Sequence, residues 1–254
     1  MCSTDLPQRV ADMVTGWGHW VPPENVILLC GGEIPGLNVT LLPRLSIDDG
    51  VDAKYGSQPA NIRANLRHLR SIWWLANEKA SVSNSFDWVF YVDDDTFVNV
   101  PALMSFLHGI PSHVPMLVSY MWYNPPWPID RNLSFPSGGA GMLFSRPGLK
   151  QLGSVLWTPS CEVPDPVNDV GTGRCCKPAN ITRVHSLKFV PYVALLKELG
   201  NRAEGGGRMD AGMVVTVHYV KTREQVEEFT CLVAARFGWP HPQCNVTTVP
   251  MIPA

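Results

Sequence analysis

The sequence predicts an α/β fold with a mostly parallel central sheet. Two observations carry this. Short apolar runs such as Val26-Ile27-Leu28-Leu29-Cys30 and Asp87-Trp88-Val89-Phe90-Tyr91-Val92 read as buried strands. Stretches with helical periodicity alternate with them, which is the order of a sheet covered by helices. The 254 residues are 45% hydrophobic and 17% charged, enough to bury a sizeable core, and are read as a single domain over 1–254.

The elements follow in order. The first run is closed by Gly31-Gly32. From Asn61 to Asn77 the apolar residues Ile62, Leu66, Leu69, Trp73 and Ala76 recur at helical spacing, with Arg63, Arg67 and Arg70 on the opposite stripe. The second run leads straight into Asp93-Asp94-Asp95, and a helix follows from Pro101 to about His108. Pro111 to Val118 leads into another strand, and 120–137, rich in Pro, Trp and Tyr, reads as a loop. Gly138-Gly139-Ala140-Gly141 opens the strand Met142-Leu143-Phe144, and Ser145 caps a helix through Leu152. Residues 157–180 read as irregular, and Val214 to Tyr219 as a late strand. Thr222 and Gln225 form a capping box ahead of Val226, Phe229 and Val233, the start of a last helix.

A net charge of -2 gives no basic excess, which excludes nucleic acid as a partner. No run of 18 apolar residues spans a membrane, and Met1-Cys2-Ser3-Thr4-Asp5 is not a signal peptide. Four sequons (at Asn38, Asn132, Asn180 and Asn245) and seven cysteines nevertheless point to an oxidising, secretory compartment. Cys231 and Cys244, flanking the Trp239-Pro240 turn, are expected to pair; Cys161 with Cys175 or Cys176 is a second pairing.

The chemistry concentrates in Tyr91-Val92-Asp93-Asp94-Asp95-Thr96-Phe97. Carboxylates at the carboxyl end of an apolar strand are costly unless neutralised, and that edge of an α/β sheet is where ligands bind. Asp93 and Asp95, two apart, can face one side and share a Mg²⁺ or Mn²⁺ ion; a solvated acidic turn is the other reading. Gly138, Gly139 and Gly141 let backbone approach a ligand closely, or simply make a tight turn. Asp169 can take a proton from a hydroxyl, or cap a helix. His218 ends the late strand and His185 precedes it in the chain; on its own either reads as an ordinary core histidine. Trp122, Tyr123 and Trp127 can stack on a flat ligand face or simply pack.

The stretch from Asp87 to Val100 resembles the metal-binding strand of Fringe-like glycosyltransferases, glycosyltransferase family 31, which also contains core 1 β1,3-galactosyltransferases and β1,3-N-acetylglucosaminyltransferases. Ser137 to Ser145 is similar to that family's Gly-Gly-Ala-Gly strand, Asn168 to Cys175 to its Asp-Val-x-x-Gly segment, and Val217-His218-Tyr219-Val220 to its late metal-binding histidine. The Cys231 to Cys244 stretch with Trp239 is similar as well, so the likeness covers about residues 7–244.

The resemblance implies a GT-A-like fold and an inverting, metal-dependent transfer from a UDP-sugar to a glycan or glycoprotein, with a β1,3 linkage. It implies Asp93, Asp95 and His218 (or His185) as ligands of Mn²⁺ or Mg²⁺. It further implies Asp93, Asp94, Gly138, Gly139, Ala140 and Gly141 on the donor and Asp169 as general base. A Golgi type II membrane protein is the expected full-length form, touching the membrane only through an anchor that this chain lacks. The family's first strand precedes the helix similar to Gln8–Trp17, and the chain is read as beginning just after it. The rival reading is a catalytically inactive secretory glycan-binding module that keeps the fold; a metal-dependent nucleotide-sugar hydrolase is a third.

Overall fold

Two sheets of mixed direction organise the protein in the computed structural model, which describes residues 7–30, 40–41, 60–78, 85–123, 133–161, 168–192 and 214–244. The chain divides into two units: Met1–Leu41, Val92–Ile110 and Leu187–Ala254 form the first, Leu42–Tyr91 and Pro111–Ser186 the second.

The first unit begins with α1 (Pro7–Thr15), where Pro7 stands at a position whose N–H has no helical partner anyway. Its Val10 and Met13, one turn apart, are buried. Two 3₁₀ turns follow, and β1 (Leu29–Cys30) pairs in parallel with β2 (Thr40–Leu41). The strand expected from Val26 is shorter at its start: the turn ends at Asn25, Val26 is already extended, and pairing with β2 begins at Leu29. After β3 (Trp88–Tyr91), which belongs to the second unit, β4 (Thr96–Val98) leads into α3 (Val100–His108). Asn99 caps α3 by accepting the Ala102 N–H at 3.2 Å.

The first unit's sheet is completed by the short strand Phe189–Val190 and by Thr216–His218, which lies parallel to it and antiparallel to β4. The last helix, Arg223–Phe237, has the expected capping box and ends on Gly238 at φ 64°, the left-handed conformation glycine adopts freely. Met13, Phe97, Val190, Val214, Val217, Val220, Val226 and Val233 make the core, with Trp17, Trp20, Phe229 and Phe237 packed against it.

In the second unit α2 (Ala60–Asn77) buries His68, Leu69, Ser71, Ile72, Trp74 and Leu75. The buried face thus runs through His68, Ile72 and Leu75; of the expected stripe Leu69 is fully covered, Trp73 and Ala76 lie at the margin, and the burial of Ile62 and Leu66 lies outside what is described. The sheet joins β3, β5 (Met116–Ser119), β8 (Met142–Ser145) and β9 (Thr182–His185) in the order β3-β8-β5-β9. β8 is antiparallel to both β3 and β5, and only β5 and β9 run parallel. The expectation of a mostly parallel sheet is corrected on this point. The segment read as a loop contains β6 (Met121–Trp122) and β7 (Phe135–Pro136), an antiparallel pair that turns the chain back, so β8 returns antiparallel to β5. The β9 strand follows two helices, as a parallel neighbour requires. β3 is half-buried except at Tyr91, whereas β8 is buried throughout.

Ser145 caps α4 (Arg146–Val155), accepting the Gly148 N–H at 3.2 Å as expected. A Cβ on Gly153 would lie 2.2 Å from the Ala76 Cβ, so α4 and α2 touch where neither has a bulky side chain. The stretch read as irregular contains α5 (Asn168–Cys176). The remaining strands and helix of the first unit are numbered β10 (Phe189–Val190), β11 (Thr216–His218) and α6 (Arg223–Phe237).

Cys231 pairs with Cys244, and Cys161 with Cys175; Cys176 is buried and unpaired, its thiol pushed up to about 12 by burial. Asn180 is exposed at φ 52°; the other three sequon asparagines, Trp127 and the acids Glu162 and Asp165 lie outside the described residues. None of the described helices is long and apolar enough to cross a membrane.

Closing the loop between Cys231 and Cys244 restricts the unfolded chain. Replacing both by serine is expected to lower stability by about 3 kcal/mol, measured by denaturant unfolding. Peptide mapping without reductant checks the pairing, and recovery of Cys231 as a free thiol contradicts it.

Candidate metal centre and acidic helix

The first group of functional side chains forms on the first unit's sheet. Asp93 to Thr96 make a turn, closed by the Thr96 N–H on the Asp93 carbonyl at 3.2 Å. The register between β4 and β11 places His218 opposite Thr96, one residue from Asp95. The Val220 N–H then donates to the Asp95 carbonyl at 3.0 Å and fastens the two segments together. Asp93, Asp95 and His218 each present one ligand atom, and these atoms all lie within 4.8 Å of one another.

The chemistry of His218 fits a cation. Its Nδ1 lies 2.9 Å from the Pro191 carbonyl, which only accepts, so Nδ1 carries a proton. That leaves Nε2 facing Asp95 Oδ1 at 3.0 Å. Neutral imidazole and carboxylate would then meet acceptor to acceptor. A second proton or a metal ion between them removes the conflict. Burial lowers the affinity of His218 for that proton, but the hydrogen bond and charge of Asp95, then Asp93 and the Pro191 carbonyl, outweigh it and raise its pKa. Burial likewise raises the Asp95 carboxyl, yet His218, Arg9 and Lys221 outweigh it and the net shift is downward. Two carboxylates and an imidazole whose far nitrogen is fixed by a backbone carbonyl make a donor set suited to a divalent ion such as Mn²⁺.

Two residues at this group have no role legible in the sequence: Arg9, and Tyr219, which reads there only as the end of the late strand and part of the histidine motif. Arg9 on α1 brings its guanidinium 3.5 Å from Asp94 and 3.7 Å from Asp95. Tyr219 follows His218 at φ 64°, a conformation that costs a bulky residue about 1–3 kcal/mol. The turn it makes lets Val220 reach Asp95. Its ring, 48% exposed, lies 4.0 Å from the His218 ring, with Lys221 Nζ 4.6 Å from its centre.

The second group lies in the second unit. Gly138 to Gly141 form a turn closed by the Gly141 N–H on the Gly138 carbonyl at 3.0 Å. Gly141 has φ 91°, so it alone of the three glycines needs the left-handed freedom expected of them all. Ser119 donates to the Gly141 carbonyl at 2.8 Å, and Ala140 is fully buried. Asp169 stands in the first turn of α5, where an acid is favoured by the helix dipole. Its carboxylate accepts the Val170 N–H at 2.9 Å and the Gly138 N–H at 3.5 Å, which joins Asp169 to the glycine turn. α5 is tied down by the Cys161–Cys175 bridge and by Gly173, where a Cβ would lie 2.8 Å from the Phe135 Cα.

His185, the alternative ligand, stands elsewhere. Its Nδ1 accepts the Met121 N–H at 2.9 Å, its ring lies 5.0 Å from Tyr120, and burial lowers its pKa. Trp122 meets Tyr120 edge-on at 4.9 Å, and Tyr123 is 60% exposed.

The model of the Fringe-like family matches residues 56–189, more than half of the chain. The chain belongs to the Fringe-like family. Membership implies a glycosyltransferase with a sugar donor and a glycan acceptor. The matched span of this Fringe-like chain holds Asp93, Asp95, the glycine turn, Asp169 and His185; Arg9 and His218 lie outside it. Compared with the curated proteins, the chain finds no match.

Two outcomes are expected. His218→Ala abolishes Mn²⁺-dependent UDP binding while His185→Ala retains it, read by calorimetry; the reverse pattern assigns the ligand to His185. Because a proton competes with the metal for Nε2, binding strengthens by up to about tenfold for each pH unit until pH passes the raised pKa of His218, then levels off. Separately, Gly173→Ala forces α5 away from β7. It is expected to cost about 1–3 kcal/mol in denaturant unfolding, and a value near zero contradicts the close packing.

Proposed function

We propose that this chain is an inverting glycosyltransferase that moves a hexose or N-acetylhexosamine from a UDP-sugar to a glycan or glycoprotein, forming a β1,3 bond. The observation that carries the reading is the convergence of Asp93, Asp95 and His218 in a member of a glycosyltransferase family. The GT-A-like fold, the linkage, a single domain over 1–254 and a Golgi type II setting belong to the same proposal. They rest on the four ordered motifs; the two disulfides fit a secretory lumen.

Asp93, Asp95 and His218 would hold Mn²⁺ or Mg²⁺. The ion, when bound, supplies positive charge against the diphosphate as its bond to the sugar breaks. The protein's own residues do the rest. The Gly138–Gly141 turn, with Asp93 and Asp94, positions the donor sugar. Asp169 takes the proton of the acceptor hydroxyl as that oxygen bonds to the anomeric carbon. The electron pair of the breaking bond leaves on the β-phosphate, so the products are the glycoside and UDP, with inversion at the anomeric carbon.

Asp169→Asn keeps the shape of the side chain and one of its two acceptor oxygens, so it can still accept the Val170 N–H, and it loses its basicity. Transfer by this variant is expected to fall by about 10²- to 10⁴-fold while Mn²⁺-dependent UDP binding stays near wild type. A panel of UDP-sugars with UDP release as readout finds the donor. Wild-type transfer by the variant removes Asp169 from the mechanism, and lost UDP binding assigns it to the donor side.

A further inference from the structure

Arg9 is the charged residue in ion-pair contact with the acidic turn that the reaction above does not use; Lys221 acts on Asp95 by charge alone. It sits on α1, with its side chain 16% exposed, and its two carboxylate contacts are 3.5 and 3.7 Å long. A charge-assisted hydrogen bond is about 2.7–2.9 Å, so neither contact is a strong one. Its Nε is buried and has no hydrogen-bond partner. Such a donor is normally satisfied, and a guanidinium can engage five N–H groups at once. Arg9 is therefore held beside Asp94 and Asp95 by charge and by its helix, not by good hydrogen bonds.

The two carboxylates have different second partners. Asp94 is absent from the group of converging ligand atoms, whereas Asp95 belongs to it. The Asp95 Oδ1 faces His218 and its Oδ2 faces Arg9, so one carboxylate is shared between a ligand imidazole and a fixed cation.

We infer that Arg9 is an internal counter-cation, a positioning residue that holds Asp94 and Asp95 in the metal-free protein and competes with a divalent ion for Asp95. This rests on the reading of Asp93, Asp95 and His218 as a metal site. Arg9 lowers the site's intrinsic affinity for the ion and keeps the carboxylates from repelling one another while it is empty. The weak contact to Asp95 is what the ion displaces, and Asp94 keeps Arg9 in place when it does.

The test is Mn²⁺ binding, without nucleotide, to the wild-type chain and to Arg9→Met, Arg9→Gln and Arg9→Lys, followed by electron paramagnetic resonance of the free ion. Thermal unfolding is recorded with and without Mn²⁺. Removing the charge in Arg9→Met or Arg9→Gln is expected to tighten Mn²⁺ binding about tenfold at low salt and less at high salt, with Arg9→Lys near wild type. The metal-free forms of both uncharged variants melt lower than wild type, and Mn²⁺ restores the difference. A residue that merely buttressed the site would weaken metal binding when removed. Unchanged or weaker binding in both uncharged variants overturns the role of Arg9 and leaves the metal site standing. Absence of Mn²⁺ binding from the wild type and every variant overturns the metal site, and the competition with it.

Discussion

Everything in the first unit answers to the charge of three consecutive carboxylates. Asp95 is 9% exposed, and an uncompensated carboxylate at that depth costs several kcal/mol. The compensation comes from separate parts of the chain: Arg9 from α1 and His218 from β11. The strand pairing that brings β11 beside β4 and the helix that brings Arg9 beside the turn are thus electrostatic requirements as much as packing ones. The strained backbone of Tyr219 belongs with them, since it returns the Val220 N–H to the Asp95 carbonyl.

Part of this was legible in the sequence, and the reason differs by element. The capping residues Ser145, Thr222 and Gln225 act locally, within three residues, so their helices start where the sequence places them. The pairing of Cys231 with Cys244 is similarly local. The sheet direction was not legible, because apolar runs look alike in parallel and antiparallel strands, and β6 and β7 are only two residues each. The segment around Asp169 read as irregular because Asn168 to Cys176 has almost no amphipathic pattern: Gly171, Thr172 and Gly173 are buried where a larger apolar residue would announce a helix.

The candidate site divides in the same way. Asp93 and Asp95 are two apart in sequence and announce themselves by interrupting an apolar stretch. His218 ends a strand read from the sequence and His185 lies in no element read there, but that difference does not say which of the two meets Asp95. Only the register of β11 against β4 separates a histidine beside Asp95 from one that accepts the Met121 N–H. Arg9 was invisible, since a lone arginine on an amphipathic helix has no pattern. Gly173 carried its information in a motif, but the reason for it, the closeness of Phe135, appears only in three dimensions.

The position of His241 has a consequence for the order in which the protein is made. Its Nε2 lies 3.1 Å from the Thr15 and Gly16 carbonyls at the end of α1, a link across 226 residues. The helix that carries Arg9 is therefore fastened by almost the last described residues to leave the ribosome. At about 5–20 residues per second, the interval from Thr15 to His241 is roughly 10–45 s. The second unit, all of it encoded between Leu42 and Ser186, is complete well before then. The first unit has to wait for its own ending. Its acidic turn is made 123 residues before His218, so for roughly 6–25 s the three carboxylates exist without the imidazole that faces Asp95 in the folded unit.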